Sequence, residues 1–386
     1  MIKRNIFLLY AISLLQGMVF YGSVATLYRQ AQGVSVFQIT VIESISLGLC
    51  LLLELPWGVV ADKIGYRRTM IFCCVLYFLS KIVFWQARGF GGFLLERVML
   101  SVVMAGMSGV DTGMLYLSCR KGESQRVFGV YNSLLTAGLL VAALVFTVFV
   151  GGSYQLAGFL TVLSYGAAAL LSLWLVEVRP ETASRFTAHE FLALLRKTLR
   201  NPSLLLLLIG IALFNETHQT ITVFLSQLQY TACGLSPRSI GGLYLILTVA
   251  GMCGTASARL TQKIGTARFA ALLYTAAAAA CLLLAVTRSV WLSAAGVLLL
   301  RVACSLFQPL QMRLQNEQVQ TENRATALSI NAVIIDSAGV ATNLAFGKLA
   351  DTALSGAMLL GSALCAIGGV LFFAWYRSRS ALAQRG

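Results

Sequence analysis

The amino-acid sequence predicts an all-α integral membrane protein with twelve transmembrane helices, arranged as two pseudo-symmetric six-helix bundles. Three observations support this fold class: an apolar composition, a series of long apolar runs, and a pattern that repeats between the two halves of the chain. Of the 386 residues, 58% are hydrophobic and only 11% are charged, and the mean hydropathy is +0.81. A water-soluble chain of this length does not show such values, so lipid must be the solvent for most of it.

Long apolar runs define the predicted helices, because a helix needs about 20 mostly apolar residues to cross a bilayer. The runs are uniformly apolar rather than alternating, which disfavours a membrane β-barrel and leaves helices as the way to satisfy the backbone in lipid. We predict membrane helices at 6–28, 39–61, 69–88, 93–118, 128–150, 154–178, 202–228, 238–258, 267–287, 290–312, 326–348 and 355–376.

The positions of the basic residues predict the orientation of the chain. Most of the 29 lysines and arginines fall within loops on the side that holds both termini. Positive charge accumulates on the cytoplasmic side of membrane proteins. We therefore expect a multi-pass protein of the cell inner membrane with both termini in the cytoplasm. The net charge of +15 is spread over short loops rather than clustered on a soluble face, which argues against a nucleic-acid partner. The loops on the other side of the membrane hold the basic residues Arg29, Arg88, Arg238, Arg288 and Lys348.

The longest loop divides the chain into three predicted regions. These are an N-terminal six-helix bundle at 1–178, a cytoplasmic linker at 179–201 and a C-terminal six-helix bundle at 202–386. Apolar residues in the linker keep helical spacing, which favours an amphipathic helix on the anionic inner leaflet over a flexible connection. These apolar positions are Phe191, Leu194, Leu195 and Leu199.

An internal repeat supports the prediction of two bundles. The segment Lys63-Ile64-Gly65 follows the second helix, and Lys263-Ile264-Gly265 follows the eighth. Arg97-Val98 lies in the fourth helix and Arg301-Val302 in the tenth, at almost the same offset. Two matches at equivalent places indicate a duplicated unit, which many membrane transporters contain.

A charged loop after the second helix carries the most specific motif of the chain. It reads Gly58-Val-Val-Ala-Asp62-Lys63-Ile-Gly65-Tyr-Arg67-Arg68. Here Gly58 permits close approach of another helix and Gly65 permits a tight turn. The carboxylate of Asp62 suits charge-assisted hydrogen bonds to a basic side chain or to a helix N-terminus.

This loop resembles the signature loop of the major facilitator superfamily at all six defining positions, and the six-plus-six layout extends the resemblance over the whole chain. The resemblance implies a secondary transporter that works by alternating access, with helices one, four, seven and ten around the substrate. It also implies that Asp62 latches the cytoplasmic ends of the bundles in one state, while Arg67 and Arg68 face water or lipid phosphate. The fifth helix lacks the glycine-proline motif typical of drug/proton antiporters.

Ionisable residues inside the membrane are candidates for proton coupling, since each needs a partner or a function. Glu216 is our first candidate and Asp336 and Asp111 follow it. Arg301 lies at a similar depth to Glu216, about 20 Å from the cytoplasmic ends of the helices, so the alternative for Glu216 is a permanent ion pair with Arg301. Lys81 is expected to pair with Glu54 or Asp111.

The helices that the resemblance places around the substrate supply the candidates for the cavity wall. Methionine and aromatic side chains repack around different apolar ligands, which favours an amphiphilic or drug-like substrate over a sugar. The candidates are Tyr10, Gln16, Tyr21, Arg97, Met104, Met107, Asn215, His218, Gln219 and Arg301.

The sequence thus favours proton-coupled export of small amphiphilic molecules, with the small molecule, protons and the lipid bilayer as partners of a monomer. A nutrient uptake symporter for a sugar or organic acid is the main alternative, and a membrane receptor or scaffold that does not transport is the third. We find no nucleotide-binding glycine loop, metal-ligand helix or nucleophile motif, so we expect no enzymatic activity, no cofactor and no metal.

Overall fold

The computed structural model describes the backbone of residues 2–119, 124–178, 188–318 and 324–383. These ranges are helical almost throughout and contain no strand. Twelve helical segments within them combine the length and the hydropathy that a membrane crossing requires. The predicted fold class, a multi-pass all-α membrane protein with twelve spans, is confirmed.

The chain divides into two compact units, of which the first holds the first six spans and the second holds the last six except for the beginning of the eighth. Unit 1 comprises Met1–Arg185 and Ser236–Leu245, and unit 2 comprises Phe186–Leu235 and Ile246–Gly386. The helices of unit 1 are α1 (Ile2–Gly17), α2 (Ala25–Ala31), α3 (Val36–Ile64), α4 (Tyr66–Gln86), α5 (Gly89–Met107), α6 (Val110–Leu117), α7 (Ser124–Val145) and α8 (Tyr154–Ser172).

Unit 2 begins with a short helix in the loop that precedes the seventh span. This helix, α9 (Ala188–Leu199), coincides with the amphipathic helix expected from the sequence, although the side chain of Phe191 lies outside the described ones. The remaining helices are α10 (Pro202–Gln219), α11 (Ser226–Ala232), α12 (Pro237–Ala250), α13 (Ser257–Ile264), α14 (Thr266–Val286), α15 (Val290–Gln318), α16 (Arg324–Thr352) and α17 (Leu354–Ala383). The first turns of α12 belong to unit 1.

The two units repeat one internal arrangement. In unit 1, α1 packs on α7 and α8, α4 packs on α5 and α8, and α3 packs on α5. In unit 2, α10 packs on α16 and α17, α14 packs on α15 and α17, and α15 packs on the segment that continues α12. The helices α4 and α14 are both 21 residues long, and each follows a glycine with positive φ, Gly65 at 94° and Gly265 at 89°. Each of these helix contacts in unit 1 therefore has its counterpart in unit 2, as the sequence repeat predicts.

Two glycines bring α1 and α7 into backbone contact. A Cβ atom on Gly17 would overlap the carbonyl oxygen of Leu135, and one on Gly138 would overlap the carbonyl oxygen of Leu14. Glycine at a helix crossing allows this approach, which van der Waals contact then stabilises in lipid.

Several spans depart from regular α-helix geometry. The fourth span breaks between α5 and α6 at Gly109, where φ is 78°. The segments Phe146–Val150 and Thr220–Leu225 are π-helical, and Gly251–Ala256 is 3-10 helical. Such segments frequently mark functional positions in helices because they shift side chains and free backbone groups. Within unit 1, for example, Arg238 donates to the carbonyl oxygens of Thr147 and Val148 at 2.7 and 2.8 Å.

Candidate functional site

Glu216 lies near the middle of the seventh span, Pro202–Ala232, and faces α16. The side-chain amide of Asn343 donates to Glu216 Oε2 at 3.4 Å, and Thr220 Oγ1 donates to Asn343 Oδ1 at 2.6 Å. Gly339 lies against the carboxyl group, because a Cβ atom there would stand 2.6 Å from Glu216 Oε1. Within the part of the chain that the structure describes, Glu216 forms no ion pair.

Asp336 lies on the same helix as the two α16 residues that contact Glu216. It precedes Gly339 by three residues and Asn343 by seven, so helical periodicity places all three on one face of α16. Asp336 interacts electrostatically with Glu216. The first two candidates for proton coupling therefore belong to one cluster, which also includes Asn343.

Arg301 contacts His218 rather than Glu216. Its Nη1 atom lies 3.4 Å from His218 Nε2, and no ion pair joins Arg301 to any described carboxylate. A guanidinium group only donates, so His218 Nε2 accepts and the ring proton resides on Nδ1. The alternative of a Glu216–Arg301 ion pair is wrong for this structure. Residues two positions apart on a helix point about 200° away from each other, so Glu216 faces α16 whereas His218 faces α15.

Asn215 and Gln219 lie on either side of Glu216 and His218 in the sequence of α10. Asn215 Oδ1 is buried and has no hydrogen-bond partner among the described atoms, whereas Gln219 is exposed. Asn215 precedes His218 by three residues and therefore lies on the same side of the helix. A buried acceptor without a partner is uncommon in folded proteins and requires an explanation.

Five charged side chains form a network in unit 1. Lys81 donates to Glu96 Oε1 at 3.1 Å, and Arg29 donates to Glu43 Oε1 at 3.0 Å. Arg97 connects the two pairs, since it contacts Glu43 through Nη2 and lies 3.9 Å from Glu96 through Nε. Three cations thus share two carboxylates in a largely buried setting. Lys81 pairs with Glu96, not with the predicted Asp111, and the side chain of Glu54 lies outside the described ones.

The charge network was only partly predictable from the sequence. The sequence predicts a loop position for Arg29, whereas the structure shows it buried near the end of α2 and over the rings of Phe84 and Phe93. The clustering of Glu43 with Arg29 follows from their positions on either side of the short turn between α2 and α3. That proximity was the available signal, because a charge at this depth needs a partner.

Asp111 lies at the start of α6, directly after the break in the fourth span. Its Oδ1 atom accepts from the backbone N–H of Thr112 at 2.6 Å, and Tyr131 donates its hydroxyl to Oδ2 at 3.1 Å. No ion pair involving Asp111 occurs among the described side chains. The break at Gly109 therefore supplies helix N–H groups to this carboxylate, a favourable position for negative charge.

The remaining cavity candidates of unit 1 differ in their surroundings. Tyr10 donates to the carbonyl oxygen of Val127, and Gln16 donates to Cys74 Sγ. Tyr21 is buried and stacks on Phe84, with ring centroids 3.9 Å apart. Their side chains thus make contacts inside unit 1. Of the two methionines, Met104 is 52% exposed, whereas Met107 packs against the core.

The charged loop after α3 ties unit 1 together at one end. Arg67 donates through Nε to the carbonyl oxygen of Leu175 at 2.6 Å and through Nη2 to that of Leu173 at 3.1 Å. The Glu177 carboxylate lies against Gly65 and accepts from the backbone N–H of Arg67 at 3.3 Å. Arg67 therefore binds carbonyl groups at the end of the sixth span, contrary to the expectation that it faces water or lipid phosphate.

The other members of this motif are either exposed or not among the residues whose surroundings the structure describes. Lys63 and Arg68 are exposed, as expected of residues that determine topology. The side chain of Asp62 and the surroundings of Gly58 are not among those described, so the Asp62 latch stays a prediction. Among the described residues, no group of three His, Cys, Asp or Glu side chains is arranged to hold a metal ion.

Comparison with known proteins supports the fold over nearly the full length. Residues 6–342 match the Major Facilitator Superfamily. The nucleoside transporter NupG has a similar structure, with a TM-score of 0.82, 15% identity, and coverage of 96% of this chain and 99% of that chain. No curated protein sequence matches the chain.

Two further solved structures share the fold. A bacterial homologue of the human lysosomal transporter Spinster, inward-facing and occupied, has a TM-score of 0.71 at 16% identity, with coverage of 97% of this chain and 96% of that chain. A POT family transporter in complex with 5-aminolevulinic acid has a TM-score of 0.75 at 12% identity, with coverage of 96% of each chain. Identities this low support the fold and not the substrate.

Proposed function

Because this chain belongs to the Major Facilitator Superfamily, we propose that it is a proton-coupled secondary active transporter in which Glu216 binds and releases the proton. The substrate is a small molecule, and transport proceeds by alternating access. The chain acts as a monomer in the cell inner membrane, with both termini in the cytoplasm.

One observation carries the proposal: Glu216 stands at mid-span without a cationic partner among the described residues. Among the described residues, its one side-chain hydrogen bond is the 3.4 Å bond from Asn343, and Gly339 brings the α16 backbone close to the carboxyl group. An ionised carboxylate in such a place is costly, so proton uptake relieves the cost. A conformational change that alters hydration at this carboxyl group would then release the proton.

Export of amphiphilic or drug-like molecules is the direction we propose. Support comes from the apolar and methionine-containing character of the fourth span, where Met104 is exposed. Nutrient uptake by symport remains the main rival, and the similarity to NupG, a nucleoside transporter, is compatible with it. A protein that does not transport is the third possibility, and transport assays separate all three.

The test measures pH-gradient-driven flux in proteoliposomes, first with a panel of labelled amphiphilic cations, nucleosides, sugars and organic acids. With the substrate so found, Glu216→Gln should reduce gradient-driven accumulation to the level of passive equilibration. Exchange of labelled for unlabelled substrate at equal pH should persist, because the amide keeps the shape of the side chain but cannot exchange the proton.

Glu317→Gln is the matched control, since Glu317 is exposed and pairs with Arg313 and Arg379 on the surface of unit 2. It should leave accumulation unchanged. Normal accumulation in Glu216→Gln together with its loss in Asp336→Asn would move the proton site to α16. Flux in the opposite direction would support uptake, and no flux for any compound would contradict the transporter proposal.

A further inference from the structure

Arg301 is a charged side chain near the middle of the 29-residue helix α15 that lacks a described carboxylate partner. Arginine stays protonated under all ordinary conditions, so it cannot shed its charge as a lysine or carboxylate can. A charge at this depth is costly unless a counter-ion or water compensates it. His218 supplies one acceptor at 3.4 Å but no negative charge.

The backbone around Arg301 is shaped to receive its guanidinium group. A Cβ atom on Gly251 would stand 2.6 Å from Arg301 Nη2, so only glycine leaves the group in its present position. Gly251 begins the 3-10 segment, and Ser305 holds its carbonyl oxygen through a 2.6 Å hydrogen bond. Gly251 therefore provides room for the guanidinium group, and its backbone carries no negative charge that could neutralise it.

The polar atoms in this region have more hydrogen-bonding capacity than the described residues use. A guanidinium group carries five N–H donors, and the bond to His218 uses one of them. On the side of α10 that carries His218, the buried Asn215 Oδ1 atom has no hydrogen-bond partner among the described atoms. Planar N–H pairs of arginine match the two oxygens of a carboxylate, and the bond is strongest when water is excluded.

We propose that Arg301 binds the carboxylate of an organic anion, which makes the transported substrate a carboxylate-bearing amphiphile. His218 fixes the guanidinium group through Nε2, and Asn215 accepts a hydrogen bond from a donor on the same ligand. The inference rests on the proposed transporter role, but it does not depend on Glu216 as the proton site.

The test compares thermal unfolding of the purified full chain in chloride-free detergent solution with benzoate and with its neutral isostere benzamide. Benzoate should raise the unfolding temperature of the wild type, and benzamide should not. In Arg301→Gln the apparent affinity for benzoate should fall about 10-fold or more, because a charge-assisted bond is lost. Arg301→Lys should retain a weaker response, since lysine keeps the charge but not the planar donor pair.

Without any anion, Arg301→Gln should unfold at the wild-type temperature or above, because the change removes a charge that has no counter-ion. Arg313→Gln, the same change on an exposed part of the same helix, should leave the benzoate response intact. Gly251→Ala should weaken the response by displacing the guanidinium group. Gly242→Ala is its control, because the nearest atom to a Cβ there is 3.9 Å away.

Equal stabilisation of the wild type by benzoate and benzamide, an unchanged benzoate response in Arg301→Gln, or no response to benzoate would overturn the proposal. Chloride that stabilises the protein as well as benzoate does would show a simple halide site instead. The measurement is made at equilibrium without a gradient, so Glu216→Gln should retain the response. Loss of proton coupling and loss of anion binding are therefore separate outcomes.

Discussion

Gly339 determines how closely the backbone of α16 approaches the Glu216 carboxyl group. The missing side chain leaves space for a carboxyl group that a Cβ atom would meet at 2.6 Å. Asn343, one turn further along the same helix, then reaches Glu216 with its amide. At the scale of single residues, the environment of the proposed proton site depends on one glycine and one amide.

Gly339→Ala should therefore impair proton coupling while leaving the fold intact. The added methyl group meets the flexible end of Glu216, so the carboxyl group moves away and loses the bond from Asn343. The gain in helix propensity offsets that loss, and the free energy of unfolding should change by less than about 1 kcal/mol. We expect gradient-driven transport to slow several-fold in proteoliposomes. Gly356→Ala, where the nearest contact is an ordinary 3.9 Å, is the control and should transport normally.

In the buried charge network of unit 1, removal of a negative charge should destabilise the protein more than removal of a positive charge. Glu96→Gln leaves three cations with one carboxylate and should lower the free energy of unfolding by about 3–5 kcal/mol. Lys81→Met leaves two cations with two carboxylates and should cost clearly less. Unfolding midpoints of both variants and of the double variant would measure this order. A larger loss in Lys81→Met than in Glu96→Gln would contradict the excess of positive charge.

At the scale of helices, Arg67 and Glu177 connect the start of α4 to the chain that follows α8. The carboxylate lies at the N-terminus of α4, where the helix dipole favours negative charge. The guanidinium group binds carbonyl oxygens that the end of the sixth span leaves without helical partners. Both contacts involve helix ends. They therefore hold the start of the third span next to the end of the sixth.

Arg67→Ala should lower the free energy of unfolding by about 1–2 kcal/mol, because two carbonyl groups lose a charged donor. Arg68→Ala should change the free energy of unfolding by less than about 0.5 kcal/mol, since the side chain of Arg68 is exposed. Thermal unfolding in detergent compares the two. Equal effects would indicate that the contacts of Arg67 with Leu173 and Leu175 do not contribute to stability.

At the scale of the whole molecule, the sequence predicts the position of a residue along a helix better than its direction around the helix. Apolar length was sufficient for the twelve spans, and the matching segments after the second and eighth helices predicted the repeat of their packing. Depth alone suggested a Glu216–Arg301 pair, yet rotation of about 100° per residue turns Glu216 towards α16 and His218 towards Arg301. A uniformly apolar helix gives no periodicity from which to read that rotation.

The same limit applies to Lys81, whose depth matched several acids although, among the described acids, it pairs with Glu96. Helix breaks such as the one at Gly109 also escaped prediction, because glycine is common in membrane helices and does not by itself mark a break. The motif loop was read correctly as a tight turn at Gly65. Its partner Glu177 lies 110 residues from Arg67, beyond any local pattern.

The crossing of α1 and α7 determines how much mutation the chain tolerates at a place that carries no charge and no chemistry. At Gly17 and Gly138 backbone faces backbone, so no rotamer on either side relieves an added methyl group. Any substitution must move the two helices apart. A second substitution cannot compensate, because the atoms in contact belong to the backbone and not to a side chain that could be made smaller. In a random mutant library, these two silent glycines should therefore vary less than many of the charged residues that first draw attention.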